Sequence, residues 1–368
     1  MHEIIKAEIR KDLLSAPKIA VFISLLVLQF LIALIRFMPS PVQSFYKEIA
    51  NIIDGKYSSQ NEEFIEQQLQ SAYNAQQKII ELDAQLVNNK ITDSEYLTAL
   101  TIYSDEAAKA SKLEDIYSKY QQIKKSPDTK YMLCTDNWSK FLFREDIDYI
   151  LVIAVLFCAV SIYEYDISSG MHSILITTSY GRNKLFAAKT VLCVCSCACL
   201  ALMLGISEFA GYAAGNGLHG AVYPIRSLSL FSEYGKNITI IQAVILTIVV
   251  RLIGACQFGA ICGLAFMFSK NTVITFFTGI LTGVLPFWFF TGKTKYLFPL
   301  PSGLLTGTGM ILPSYSRRTM GTDGEVIIPV TTELTTSEIL TVVGIIILTI
   351  IVIISVQHKR YLKIGADQ

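Results

Sequence analysis

Charge is what this sequence has least of. Of its 368 residues, 17% are Asp, Glu, Lys or Arg, where a soluble chain carries about a quarter. With 52% hydrophobic residues and a mean hydropathy of +0.46, that shortfall excludes an ordinary soluble domain and points to the membrane class. Histidine is nearly as scarce. His2, His172, His219 and His358 are the only four, and none stands beside a Cys, Asp or Glu at metal-ligand spacing. No enzyme constellation can be read, and no catalytic residue, cofactor or metal is assigned to the chain. The net charge of +1 says nothing about nucleic acid, but the chain has no basic run suited to it, so no nucleic-acid partner is expected. The phosphate loop is also missing. Gly292-Lys293-Thr294 supplies its end, but the glycine required five residues earlier is Phe287.

Cysteine is present, eight times, and seven of the eight lie in apolar blocks. Cys193, Cys195, Cys197 and Cys199 alternate with other residues. On a helix, residues two apart point about 200° apart, so this run cannot converge on a metal and reads as small residues packing between helices. Cys134 alone falls outside the blocks and has no evident disulfide partner.

The apolar residues form six blocks: 19–35, 149–163, 185–206, 238–268, 272–290 and 339–356. A helix needs ~20 residues to cross a ~30 Å hydrocarbon layer, so each is read as a span, the second extending into its polar flanks. The first lacks a small-x-small cleavage site and reads as a retained span rather than a signal peptide. With the N-terminus in the cytoplasm, the inner segments carry eleven Lys and Arg and the short outer loops six. Lys189 is counted among the inner ones, at the start of the third block. Both termini are then cytoplasmic and residues 213–237 and 292–337 form outer loops.

Residues 38–147, between the first two blocks, are polar and open on Pro39-Ser40-Pro41. Ser59 with Glu62, and Thr92 with Glu95, fit capping boxes that start two helices. Ile65, Leu69, Ala72, Ile79 and Leu86 form an apolar stripe behind the first. Tyr96, Leu100, Tyr103, Ala107, Ala110, Leu113, Tyr117 and Tyr120 do so behind the second, after a break at 88–90. The expectation is an antiparallel, coiled-coil-like hairpin on the extracytoplasmic side, with Gln76 and Asp83 as flaws in its seam.

Two charges fall inside spans, Glu208 in the third and Arg251 in the fourth. A lone Arg near mid-membrane costs about 2.5 kcal/mol or more, so it needs a partner or water. Counting ~1.5 Å per residue brings the two to similar heights. They read either as a buried ion pair locking two helices or as a polar element in a substrate path.

The cytoplasmic loop 164–189 runs from an acid through Gly170 to Met171, Ile174 and Leu175 on one side, then a polar turn and a basic restart. Ile5, Ile9, Leu13 and Ala16 form a stripe among Lys6, Arg10 and Lys11 before Pro17. On these residues the chain resembles the type-2 permeases of ABC transporters. Glu164, Gly170, Leu175, Thr178, Arg182 and Lys189 match in order the acid, glycine, leucine, threonine, arginine and lysine of that family's loop between spans two and three. Ser179 stands where the family has a proline, so the shape of that turn departs from the pattern. The N-terminal stripe is similar to the family's amphipathic connecting helix.

The resemblance covers the six-span frame and not 38–147. The blocks and the polar segment together give an all-α membrane protein in three parts, 1–37, the insertion 38–147 and a five-span core 148–368, which the resemblance places in the cell membrane. The resemblance implies an export subunit that moves a hydrophobic or amphiphilic substrate outward. Its partners would be membrane lipid, a second permease copy or paralogue, and a separate ATPase that binds ATP and docks on Glu164, Gly170, Met171, Ile174, Leu175 and Arg182. The alternative is a membrane-anchored surface scaffold or receptor that uses the helical insertion without transport.

Overall fold

The computed structural model describes residues 2–38, 49–88, 90–125, 131–134, 137–143, 147–168, 181–231, 234–289, 297–308, 310, 312, 314–319, 325–330 and 334–364. In chain order its main helices are α1 (His2–Glu8), α2 (Ala16–Arg36), α3 (Ser59–Val87), α4 (Asp93–Ala107) and α5 (Ala110–Lys125). They continue with α6 (Tyr149–Ser168), α7 (Phe186–Asn216), α8 (Ile240–Ser269), α9 (Thr272–Gly283) and α10 (Thr336–Ile364). Two short antiparallel pairs accompany them: β1 (Gly55–Lys56) with β2 (Tyr131–Met132), and β3 (Ser314–Thr319) with β4 (Glu325–Val330). The chain divides into two compact units. One comprises Met1–Pro39, Lys140–Leu218 and Ile241–Gln368, the other Ser40–Ser139 and His219–Ile240.

The first unit is that of a helical membrane protein. Among the described residues, five helices are long and apolar enough to cross a bilayer: Ala16–Arg36, Asn183–Asn216, Ile240–Ser269, Thr272–Phe289 and Ser337–Tyr361. A sixth, Tyr149–Glu164, is apolar but shorter, which matches the short second block of the sequence. Burial separates their roles. The Ile240–Ser269 span is 61% buried, whereas Ala16–Arg36 and Ser337–Tyr361 are 11% buried. The former is the axle of the unit, and the latter two present apolar faces outward, as lipid-facing helices do.

Three expectations are refined by the structure. The fifth span is present as Thr272–Phe289, with a turn at Val284 between α9 and a short helix Leu285–Phe289. Pro286 lacks the amide that would continue the ladder. The segment 292–337, expected as an outer loop, is not a free loop throughout. Leu297, Ser302, Leu304, Leu305, Thr306 and Thr308 are all buried, around a one-turn helix Pro301–Leu304. Non-helical backbone at membrane depth is tolerated only where protein or a wet cavity satisfies it. Here two glycines make room: a Cβ on Gly254 of α8 would lie 2.7 Å from the Leu304 Cβ, and Gly307 adopts a φ of +79° against Thr247 and Arg251. Third, Lys189 is not a loop charge. A π-turn at Gly181–Leu185 starts the helix early, leaving the Lys189 side chain 2% exposed inside it.

The second unit carries the helical pair. Contacts run in opposite order along the two arms: Tyr96 hydroxyl to Asp83, Gln76 to the Ala107 carbonyl, Tyr73 hydroxyl to Glu114, and Tyr117 hydroxyl to Glu66. The arms are therefore antiparallel. The second arm is not one helix, however. It breaks between Ala107 and Ala110, and Gln76 donates to the carbonyl of Ala107 at that break at 3.2 Å. Gln76 and Asp83 are thus cross-arm hydrogen-bond partners rather than flaws, one to the broken arm and one to Tyr96. Thr92 and Glu95 form the expected capping box. At the first helix the cap is Ser58 rather than Ser59, accepting from the Gln60 amide.

Glu62 is released from capping and instead receives Tyr57 (2.5 Å), Lys124 (2.7 Å) and Gln121 (2.8 Å). The Lys124 ammonium, followed by the Tyr57 hydroxyl, holds the Glu62 carboxyl down at about 2. Ile65, Ala72, Ala110, Leu113, Ile116 and Tyr120 are the core of this pair. Toward its tip, Ile80, Val87, Leu97 and Ile102 are exposed.

Candidate functional site

Within the first unit, one buried guanidinium draws two carboxylates together. Arg251 sits on α8, and its side chain is 3% exposed. Its Nη1 donates to Glu208 Oε2 on α7 at 2.8 Å, its Nη2 to Asp148 Oδ2, and its Nε to the Leu305 carbonyl at 3.4 Å. Each edge of the fork therefore meets an acceptor on a different segment. Such geometry is needed to hold an ion out of water, because burial costs several kcal/mol per charge unless every donor is satisfied.

Local chemistry explains how the acceptors arrive. Asp148 is the N-cap of α6. Its Oδ1 accepts from the Leu151 amide at 3.1 Å, leaving Oδ2 for Arg251 and for Gln29 Nε2 at 3.1 Å. Glu208 lies one turn before Gly211, where α7 and α2 approach so closely that a Cβ would meet the Phe30 carbonyl at 2.6 Å. That approach is fastened by Ser207 donating to the Leu26 carbonyl (2.8 Å) and Asn216 to the Phe37 carbonyl (2.6 Å). The small residue thus sets Glu208 against α2, and α2 brings Gln29 to the cluster.

Beside the cluster is a cavity of about 190 Å³. Asp148, Glu208, Arg251 and Gln29 line its polar end, while Ile32, Ala33, Phe37 and Ile150 line its apolar wall. Arg36 stands at its rim, exposed, with its guanidinium 5.6 Å from the Phe37 ring centroid.

The Glu208–Arg251 pairing expected from sequence is present. Sequence reading missed Asp148, because the second block was begun one residue later. The signal was there: an acid directly before an apolar run is an N-cap pattern. Gln29, a lone amide inside the first apolar block, joins the cluster through Asp148.

The residues proposed to meet an ATPase fare differently. Gly170, Met171, Ile174 and Leu175 lie outside the described residues, as does Thr178. Arg182 belongs to the π-turn Gly181–Leu185. Glu164 accepts from the Thr272 hydroxyl at 2.9 Å, joining α6 to the first turn of α9. Lys189 donates to the Ile162 carbonyl at 2.7 Å and lies 3.3 Å from Glu8 of the N-terminal helix. Ile9 and Leu13 of the N-terminal stripe pack on the main core.

The four-cysteine run is split by the helix, Cys193 and Cys197 buried, Cys195 and Cys199 exposed. Cys134 is buried, and its backbone amide donates to Asp54 Oδ1 at 2.7 Å. Two histidines without sequence neighbours acquire spatial ones. His219 Nε2 is 3.1 Å from Asp54 Oδ2 within the second unit, and His358 Nε2 is 3.1 Å from Asn183 Oδ1 in the first.

No family model, no curated protein and no solved structure matches this chain. What the site does is therefore argued from its own geometry.

Proposed function

We propose that the chain is the permease subunit of an ATP-driven exporter of the ABC type-2 class, carrying a hydrophobic or amphiphilic substrate outward across the cell membrane. In this reading α6 is the second of six spans, both termini are cytoplasmic and the helical pair α3–α5 is extracytoplasmic. ATP is bound by a separate ATPase, and a second copy or paralogue completes the transporter.

Lys189 is the observation that carries the proposal. Its buried ammonium joins α1, through Glu8, to the Ile162 carbonyl of α6. α6 and α7 are the two helices that flank residues 169–180. A force applied to that loop would thus act on three elements together. α7 then runs without interruption from Lys189 to Glu208, a rod of roughly 28 Å at ~1.5 Å per residue. A soluble partner at one end can reach the charged cavity at the other by moving a single helix.

The test is Ile174→Ser with Leu175→Ser. Apolar anchors of a docked loop lose ~1–2 kcal/mol or more each when truncated. The double variant is expected to insert normally, fail to co-purify an ATPase and lose substrate-stimulated hydrolysis. Retention of both would refute the docking assignment. Absence of any ATPase from the native complex would favour the surface-scaffold reading, for which the exposed Ile80, Val87, Leu97 and Ile102 are the supporting observation.

A further inference from the structure

The cavity beside Arg251 is shaped for one chemical class. Its charge balance is set by three buried groups, two carboxylates and one guanidinium, so the polar end carries an excess negative charge. The Arg251 fork is already directed at Asp148, Glu208 and the Leu305 carbonyl, which leaves the acids as the electrostatic attraction for a newcomer. Arg36 also lines the cavity, but it is exposed and rests over Phe37, outside the buried group of two carboxylates and one guanidinium.

The wall is aliphatic and aromatic, and Ile32 is 44% exposed at the mouth on a helix whose span is 11% buried. The opening therefore faces the surroundings of α2 rather than the packed core. At about 190 Å³ the space suits a headgroup rather than a single water.

We propose that this cavity binds the ammonium group of a cationic amphiphile, whose tail leaves past Ile32 along α2. The protonated amine is shared between Asp148 and Glu208, and its aliphatic chain replaces lipid against α2. An anionic headgroup is rejected because it would face two buried carboxylates. The inference rests on the permease reading only in calling such a molecule cargo; the binding itself requires no ATPase.

The experiment uses full-length protein purified in maltoside micelles, with binding followed by native mass spectrometry. The probes are dodecylammonium, dodecyl sulfate and dodecanol, which share a tail and differ in head charge. Dodecylammonium is expected to bind at least about tenfold more tightly than either, the size of one charge-assisted hydrogen bond. Glu208→Gln, which removes the excess charge, should shrink that preference to less than about threefold.

Because Glu208→Gln also disturbs the buried pair, Ile32→Trp is the second variant. It fills the mouth without touching the cluster and should abolish dodecylammonium binding. Adding phosphatidylethanolamine identifies the source of the ammonium: competition means a resident lipid headgroup, and no competition means a free amphiphile. Equal or tighter binding of dodecyl sulfate, or an isotherm unchanged by Ile32→Trp, overturns the inference. Such a failure leaves ATPase co-purification untouched, and so is distinguishable from failure of the permease reading.

Discussion

Arg251 can be tolerated at the centre of an apolar unit only because its fork is filled. Deleting the cation leaves Asp148 and Glu208 beside each other with no counter-charge, so Arg251→Met should destabilise the protein by about 3–5 kcal/mol. The measurement is the thermal midpoint of the detergent-solubilised protein by size-exclusion chromatography after heating. Adding Glu208→Gln to Arg251→Met should recover part of the loss, since a neutral amide needs no counter-charge. Failure of that rescue would mean the destabilisation comes from lost packing instead. Glu62 supports a second prediction at this scale, in the other unit. Its folded-state value of about 2 lies below its ordinary 4.5. Its contribution is therefore complete above pH ~4.5 and disappears as pH falls toward 2. With the Lys124 side chain 49% exposed, screening limits that contribution to about 1 kcal/mol. Pepsin cleavage within 59–125 should accelerate between pH 4.5 and 2, and Glu62→Gln should flatten that rise.

At the scale of elements, the segment 297–308 behaves as part of the packed unit rather than as a surface connection. Leu305 is fully buried and Leu300 is 41% exposed. In a cysteine-free background, Leu300→Cys should react readily with a hydrophilic maleimide and Leu305→Cys should not until the protein is denatured. Fast labelling at 305 would contradict the buried path. Gly307→Val is expected to be poorly tolerated. It combines a positive φ with a Cβ only 2.6 Å from Thr247 Cγ2, and backbone strain of this kind costs of order 1–3 kcal/mol before the clash is counted. The resulting loss of folded yield should be measurable by fluorescence-detected chromatography. The second arm of the helical pair teaches the complementary lesson. Its stripe of Tyr96 to Tyr120 has helical spacing throughout, yet the helix breaks after Ala107. Periodicity records which face is apolar and is silent about a two-residue discontinuity that a cross-arm hydrogen bond from Gln76 accommodates.

For the whole molecule, the distribution of Lys and Arg makes a directional prediction. In a cysteine-free background in intact cells, Gln85→Cys should be labelled by an impermeant thiol reagent, while Lys359→Cys should be labelled only after permeabilisation. Both side chains are exposed, so neither result can be ascribed to burial. Labelling of position 359 in intact cells would invert the topology and with it the proposed docking face.

The membrane class, the apolar helices and the polar helical pair were legible because each rests on local quantities: hydropathy over a window, a capping box, a repeat of three and four. Arg251 and Glu208 were legible for the same reason, since a charge inside an apolar run stands out by itself. Tertiary structure alone decided the rest. Asp148 became a member of the cluster because an N-cap has two oxygens and the fold brought Arg251 to the second. Lys189 became a buried tie because packing brought Glu8 and the Ile162 carbonyl to its ammonium. The 297–308 segment became interior because Gly254 and Gly307 admit backbone where a side chain would stand. Hydropathy sums over neighbours in sequence, whereas an ion pair or a close backbone approach depends on neighbours in space, and those exist only once the helices have packed.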